Sequence, residues 1–292
     1  MTEPFVDVET ASQPDAWRRA AALLPEVAAL LPAVGARVAV VGCGTSWFMA
    51  QSYAVLREQA GQGETDAFAG SEFPAERSYD LVVAISRSGT TTEIIDLLAH
   101  TTSPTLLVTA VADSPAAAAA TSTVALPFAD EQSVVQTRFA TTALALLRAH
   151  LGHDIEAAAG DAERALRINI DELLNAAQTT FLGRGWTVGL AAEAALKTRE
   201  AAQYWSESYP AMDYRHGPLA IAQPGRNVWA LGEVPEGLAD DVAATGATLV
   251  HHDIDPLAAL IVAQRFAVGL AKARGLDPDR PRSLTRSVIL EG

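Results

Sequence analysis

Leu81 to Thr91 of the 292-residue chain read LVVAISRSGTT. Five apolar residues in a row, stopped by Ser86, Arg87, Ser88 and Gly89, predict a strand buried on both faces rather than one half in water. The hydroxyl-rich turn predicts the start of a helix over Thr91–His100. The same grammar occurs upstream, where the strand Arg37–Val41, RVAVV, runs into Gly42-Cys43-Gly44-Thr45-Ser46 and a helix from Ser46 to Gln59. Glu64–Ala69, Thr105–Thr109 and Val124–Pro127 predict further strands. Between the last two lies an Ala-rich helical turn at 116–120, and the helix Val134–His150 closes this half. Strands alternating with helices predict an α/β fold with a doubly wound parallel sheet.

The second half repeats the pattern. After a boundary around Gly152–Gly160 it reads as helix 161–179, strand 186–190, helix 191–206, strand 227–232, helix 236–244, strand 247–252 and helix 256–274. Residues 14–34 read as one or two amphipathic helices, with Pro25 placed at a first helical turn. The expected organisation is a helical N-terminal segment over 1–35, an α/β unit over 36–153, and a second over 154–292 ending in a C-terminal tail.

Composition narrows the function. Nearly half of the residues are apolar, and 21 basic residues face 35 acidic ones for a net charge of −14. No basic face or tract is visible, so a nucleic-acid partner is not expected. An anionic small molecule is compatible, because backbone N–H groups and helix N-termini bind phosphate locally. The single cysteine, Cys43, leaves no internal disulfide and no Cys metal cluster. The acidic N-terminus MTEPFVDVET lacks a signal peptide's basic and apolar regions, and no run approaches membrane-span length. The expectation is a soluble cytoplasmic protein without a membrane partner. His251 and His252 end a predicted strand, where neighbours point to opposite faces and do not share an ion. His100, His150 and His153 lack ligand spacing, so neither metal nor cofactor is expected.

Three stretches carry chemistry. Gly42-x-Gly44-x-Ser46 suits phosphate at a helix N-terminus, but Trp47 stands where a dinucleotide fingerprint needs its third glycine. Ser86-x-Ser88-Gly89-x-Thr91 offers three hydroxyls at the C-terminal end of a strand, where open α/β sheets bind ligands. A cap needs one of these hydroxyls, and Arg87 either grips phosphate or faces solvent. Further on, in EAALKTREAAQYWSESYPAMDYRHGPLA, Glu193, Lys197 and Glu200 fall at i, i+4 and i+7 on one helical face. His216 follows in an Arg-His-Gly-Pro loop. Carboxylate, ammonium and imidazole suffice for proton transfer.

Taken together, GCGTS at 42–46, SEF at 71–73, SxSGxT at 86–91, Glu131 with Val134 and TRFATT at 137–142, FLGRG at 181–185, EAALKTRE at 193–200, RHGPLA at 215–220 and PRSLTRSV at 281–288 resemble the double-SIS (sugar isomerase) family. The likeness is greatest to the isomerase half of glucosamine-6-phosphate synthase. The resemblance implies two SIS domains in tandem, and a sugar phosphate held by Ser46, Ser86, Ser88 and Thr91, with Arg87 where the family has glutamine. It implies that Cys43, Gly44, Thr45, Val134 and Gln136 contact the substrate. Glu200 would move a proton between C1 and C2, Lys197 would lie near the substrate hydroxyls, and His216 would open the sugar ring in a neighbouring subunit's site, so a homodimer is implied. Arg286 replaces the family's C-terminal lysine and is not expected to form an imine, while a catalytic role in polarising the ring oxygen or an oxyanion stays open to it. The 292 residues hold nothing resembling the glutaminase domain, so glutamine is not the expected nitrogen source. The leading expectation is deamination of a hexosamine 6-phosphate to a ketose 6-phosphate and ammonia. Alternatives are dehydration by loss of the 3-hydroxyl, plain aldose–ketose isomerisation, and a non-catalytic sugar-phosphate sensor.

Overall fold

The computed structural model describes residues 4–290. Two helices come first, α1 (Phe5–Ala11) and α2 (Gln13–Val27). They lead into β1 (Val38–Gly42), α3 (Thr45–Gln59), β2 (Thr65–Ala69), β3 (Leu81–Ile85), α4 (Thr92–His100), β4 (Thr105–Thr109), α5 (Pro115–Ala119), β5 (Ser122–Ala125) and α6 (Arg138–His150). The second half comprises α7 (Ile155–Ala165), β6 (Gln178–Gly183), α8 (Thr187–Ala202), β7 (Ser206–Pro210), β8 (Arg226–Leu231), α9 (Leu238–Thr245), β9 (Thr248–His251) and α10 (Pro256–Ala273).

These strands form two parallel sheets, ordered β2-β1-β3-β4-β5 and β7-β6-β8-β9. The α/β class and the parallel sheets are as expected from the sequence. In both sheets the strand order reverses beside the first strand, between β1 and β3 and between β6 and β8. Such a switch opens a crevice where two βα turns diverge.

Alternation along each strand divides the core. Val38 and Val40 face the helices lying between the sheets, whereas Ala39 and Val41 face α4 and α5 on the outside. The inner layer is continuous: Trp17 of α2, Tyr53 of α3, Phe139 of α6, Trp229 of β8 and Phe266 of α10 belong to one apolar cluster. A smaller outer cluster, including Leu182, Val228, Leu238 and Val242, covers the far face of the second sheet.

Several expectations need correction. The apolar run from Trp186 is no strand; it opens α8, and the strand is Gln178–Gly183, which begins in the last two residues of the stretch expected as helix 161–179, while the helix itself is Ile155–Ala165. Gly185, at φ +57°, turns the chain between them. The edge strand β7 falls at the end of, and just beyond, the stretch read as helix 191–206, and Gln203 ends α8 in the left-handed conformation. Pro25 lies in the last turns of α2, while Pro14 takes the first-turn position. Finally, α10 is long and apolar enough to cross a membrane, with mean hydropathy 1.3, yet 72% of it is buried inside this chain. Its buried apolar residues make it the central helix of the core.

Candidate active site

At the switch between β1 and β3 the two turns face each other across a cavity of about 210 Å³. The first turn needs its glycines. A Cβ on Gly42 would meet the Ser46 backbone at 2.5 Å, and Gly44 sits at φ +54°. The second turn needs Gly89, at φ +62° and packed onto the Ser114 side chain. Neither α3 nor α4 has a side-chain cap, so the hydroxyls of Ser46 and Thr91 are not occupied by their own helices. Two helix N-termini and the hydroxyls of Ser46, Ser86, Ser88 and Thr91 therefore converge on one space, the Ser88 oxygen already accepting from the Thr90 N–H at 3.2 Å and the Thr90 hydroxyl at 2.8 Å. Their partial positive charge favours an anion there.

The acid–base face comes from the other half of the chain. Helix α8 starts at the edge of the second sheet and crosses α3 so closely that a Cβ on Gly189 would strike the Phe48 carbonyl and the Ser52 hydroxyl. That approach brings the far end of α8 to the first sheet, where Lys197 and Glu200 line the cavity. Lys197 is 1% exposed; its Nζ lies 2.5 Å from Glu200 Oε2 and 3.5 Å from Glu193 Oε1. Burial acts to lower the Lys197 ammonium, but the fields of Glu193 and Glu200 together outweigh it and hold it above the ordinary lysine range. Glu193 is fully enclosed, and burial pushes its carboxyl up to about 8 against the pull of Lys197. The two partners thus shift in senses that do not match a simple pair. The geometry explains this, because the ammonium is committed to Glu200 at the shorter distance and leaves Glu193 the poorly compensated acid.

The third wall joins the loop 130–137 to the tail 279–290. Val134 and Gln136 line the cavity, and Gln136 Oε1 is buried without a partner among the described residues. Thr90 Oγ1 lies 2.9 Å from Ser287 Oγ, and the Thr92 N–H donates to Val288 O at 3.2 Å, tying the tail to the start of α4. Arg286 donates to Glu131 O and pairs with Asp130 at 2.5 Å. Arg87 is almost wholly buried and donates to the carbonyls of Ser133 (3.0 Å), Val134 (3.4 Å) and Arg286 (3.0 Å). Its guanidinium also lies 3.7 Å from Glu131. Arg87 touches the cavity but spends most of its donors on main chain rather than holding a free fork for phosphate.

The cavity therefore brings together Cys43, Gly44, Thr45, Ser46, Ser86, Arg87, Ser88, Thr91, Val134, Gln136, Lys197, Glu200 and Arg286. His216 is not among them; it is exposed on a 3₁₀ turn after β7. Sequence reasoning missed Glu93, in the first turn of α4, and Ser287 of the tail, both of which line the cavity. Proximity to the SxSGxT turn was the available signal for Glu93, and the PRSLTRSV stretch for Ser287. The Cys43 thiol is pushed up by burial and by the Glu93 charge, which disfavours a thiolate.

No protein-family model matches the chain. The isomerizing glutamine–fructose-6-phosphate aminotransferase of Sulfolobus acidocaldarius is 27% identical over 294 residues, covering 86% of this chain and 50% of that protein. The chain spans about half the length of the first curated relatives it matches. Among solved structures, glucosamine-6-phosphate deaminase from Thermotoga maritima superposes with a TM-score of 0.79 at 24% identity, over 97% of this chain and 100% of the other. Tagatose-6-phosphate ketose/aldose isomerase from Escherichia coli superposes with a TM-score of 0.78 at 18% identity, over 94% and 95%. The homologues and structural neighbours of this chain are phosphosugar isomerase enzymes, and the chain has their fold.

Proposed function

We propose that the chain is an isomerase/deaminase of hexosamine 6-phosphates, working without metal or cofactor on two tandem SIS units, 36–153 and 154–292. The observation that carries this reading is the Lys197–Glu200 pair set opposite two uncapped helix N-termini in one cavity. The phosphate is held by the hydroxyls of Ser46, Ser86, Ser88 and Thr91 and by N–H groups of the first turns of α3 and α4. In the open-chain sugar, Glu200 takes the proton from C2, leaving an enolamine, and returns it to C1. Lys197 stays charged beside the oxygen that gains negative character. The ketimine at C2 adds water and releases ammonia, leaving the ketose 6-phosphate.

Arg286 is tied to Asp130 and the Glu131 carbonyl, which suits it to closing the cavity rather than to forming an imine. The relatives named for amination and for ketose/aldose isomerisation leave plain isomerisation as the second reading, through the same proton shift. His216 opens the ring, and since it lies outside its own chain's cavity it serves the site of a second copy in a homodimer.

Incubation with free and N-acetylated hexosamine 6-phosphates, measuring ammonia and ketose together, tests the reaction. Ammonia in step with ketose supports deamination. Ketose–aldose interconversion without ammonia moves the assignment to the isomerase, and an ultraviolet-absorbing unsaturated product moves it to dehydration. Binding without turnover of any of them would make the chain a sensor. Mixing inactive Glu200→Gln and His216→Ala chains tests the shared site. Random pairing restores roughly a quarter of wild-type activity if each site draws on both copies, and nothing if it does not.

A further inference from the structure

Behind the cavity three segments distant in sequence close a ring. The Asp279 carboxylate of the tail accepts the Phe5 and Val6 N–H groups, each at 2.8 Å, and so caps α1. From the other end of α1, Glu9 Oε1 accepts Gln132 N–H at 2.5 Å and Ser133 N–H at 3.4 Å. The loop then returns to the tail, where the Val134 N–H donates to Asp279 O at 3.1 Å. From the cavity side, Arg87 bridges the same two segments through the carbonyls of Ser133 and Arg286. Glu9 is 4% exposed, lies in a helix outside both sheets, and is not among the residues lining the cavity.

We propose that Glu9 is a positioning residue for the active site, and that α1, the loop 130–137 and the tail 279–290 order one another through this ring. Seven-residue helices are marginal alone, so α1 depends on the Asp279 cap. The loop has no secondary structure to hold Val134 and Gln136 in place; its main chain is fixed by carboxylates, Glu9 on one side and Glu131 on the other. Glu131 accepts the N–H groups of Thr137 (2.7 Å), Arg138 (2.7 Å) and Phe139 (3.2 Å) and sets where α6 begins. Glu9 sets where the loop stands relative to the tail. Loss of the Glu9 acceptor therefore frees both segments of the third cavity wall without touching the proton-transfer pair.

Hydrogen exchange of the full unliganded chain, followed peptide by peptide, tests this for wild type, Glu9→Ala, Glu9→Gln and Asp279→Ala. In Glu9→Ala, exchange at 130–137 and 279–290 speeds up about tenfold or more, while peptides from β1 and α8 keep their rates. Glu9→Gln keeps a carbonyl acceptor and restores both. An unchanged loop and tail, or a uniform rise across the chain, overturns the proposal. If Glu9→Ala does not fold, Asp279→Ala reads the ring from its other corner: faster exchange at 130–137 supports it and an unchanged rate overturns it. A second readout, the affinity for glucosamine 6-phosphate, rests on the function proposed above and falls about tenfold in Glu9→Ala, with recovery in Glu9→Gln. Unaltered affinity in Glu9→Ala, where wild type binds, counts against positioning. Failure of wild type to bind any hexosamine phosphate overturns that function, while exchange still decides the ring.

Discussion

At the C-terminal edge of each sheet a strand ends in Gly-x-Gly and turns directly into a helix. The two turns, Gly42-Cys43-Gly44-Thr45-Ser46 and Gly183-Arg184-Gly185-Trp186-Thr187, use their glycines alike, although α3 begins right after Gly44 and α8 one residue later, after Trp186. Gly44 and Gly185 sit at φ +54° and +57°, and Gly42 and Gly183 each press on the backbone of the helix that follows. Their chemistry differs. Opposite the first turn stand Ser86, Ser88 and Thr91; opposite the second stands the acidic Gly232-Glu233-Val234-Pro235-Glu236. The Thr187 hydroxyl is taken up by its own turn, accepting from Arg184 N–H at 2.8 Å and donating to Arg184 O at 3.1 Å. Arg184 pairs with Glu233. A glycine turn at a helix N-terminus is thus a frame, and the facing loop decides whether an anion is welcome. The second edge instead serves as a mount, since α8 starts there and carries Lys197 and Glu200 to the first.

The largest expected break is at that far end. Glu200→Gln lowers kcat by roughly 10³-fold with sugar-phosphate affinity retained, as read by single-turnover kinetics and calorimetry. Undiminished turnover would remove α8 from the chemistry. Next comes the crossing that delivers it. Gly189→Ala puts a methyl against the Phe48 carbonyl, a backbone atom that cannot swing away. It should cost about 3 kcal/mol in urea unfolding and reduce activity with it.

The two edges are compared directly by Ser88→Ala and Arg184→Ala. The first raises KM about tenfold. Arg184 is half exposed in its pair with Glu233, and its loss changes stability by less than about 1 kcal/mol and leaves KM within twofold. Equal effects on KM would erase the distinction drawn between the turns.

The smallest effect is a slope with pH. Folding raises the Glu193 carboxyl from the ordinary value of 4.5 to about 8, so the native state holds a proton that the unfolded chain releases. This contribution is fully present below about 4.5 and is lost as pH rises through about 8. Glu193→Gln removes that loss. Its urea midpoint relative to wild type should therefore climb between pH 5 and pH 8, and a difference independent of pH would contradict the buried, protonated acid.

Much of this was legible in the chain. The strands Leu81–Ile85 and Thr105–Thr109 were placed to the residue, because short apolar runs, LVVAI in the first and LLV in the second, bounded by Asp, Ser or Thr allow little else. The second half was harder. The β-strand Gln178–Gly183 carries Gln and two Thr in a fully buried position, so hydropathy alone hid it. The apolar start of α8 then took its place. Within the site, hydroxyls in short turns and charges at helical spacing announced themselves, since local geometry alone puts them on one edge or face.

What the chain's order left open was which edge would meet which helix face. Glu193, Lys197 and Glu200 are a periodic pattern in sequence. They become a buried pair with one spare acid only because Gly189 lets α8 lie against α3. Arg87 read as a cation for phosphate, but its donors go to carbonyls supplied by residues 133, 134 and 286. Residue type and spacing determined the turns, the hydroxyls and the charged face, because those depend on neighbours within a few positions. Close packing of distant segments decided which of those groups share a cavity and which charges are already satisfied, because burial and hydrogen-bond partners are properties of the assembled chain.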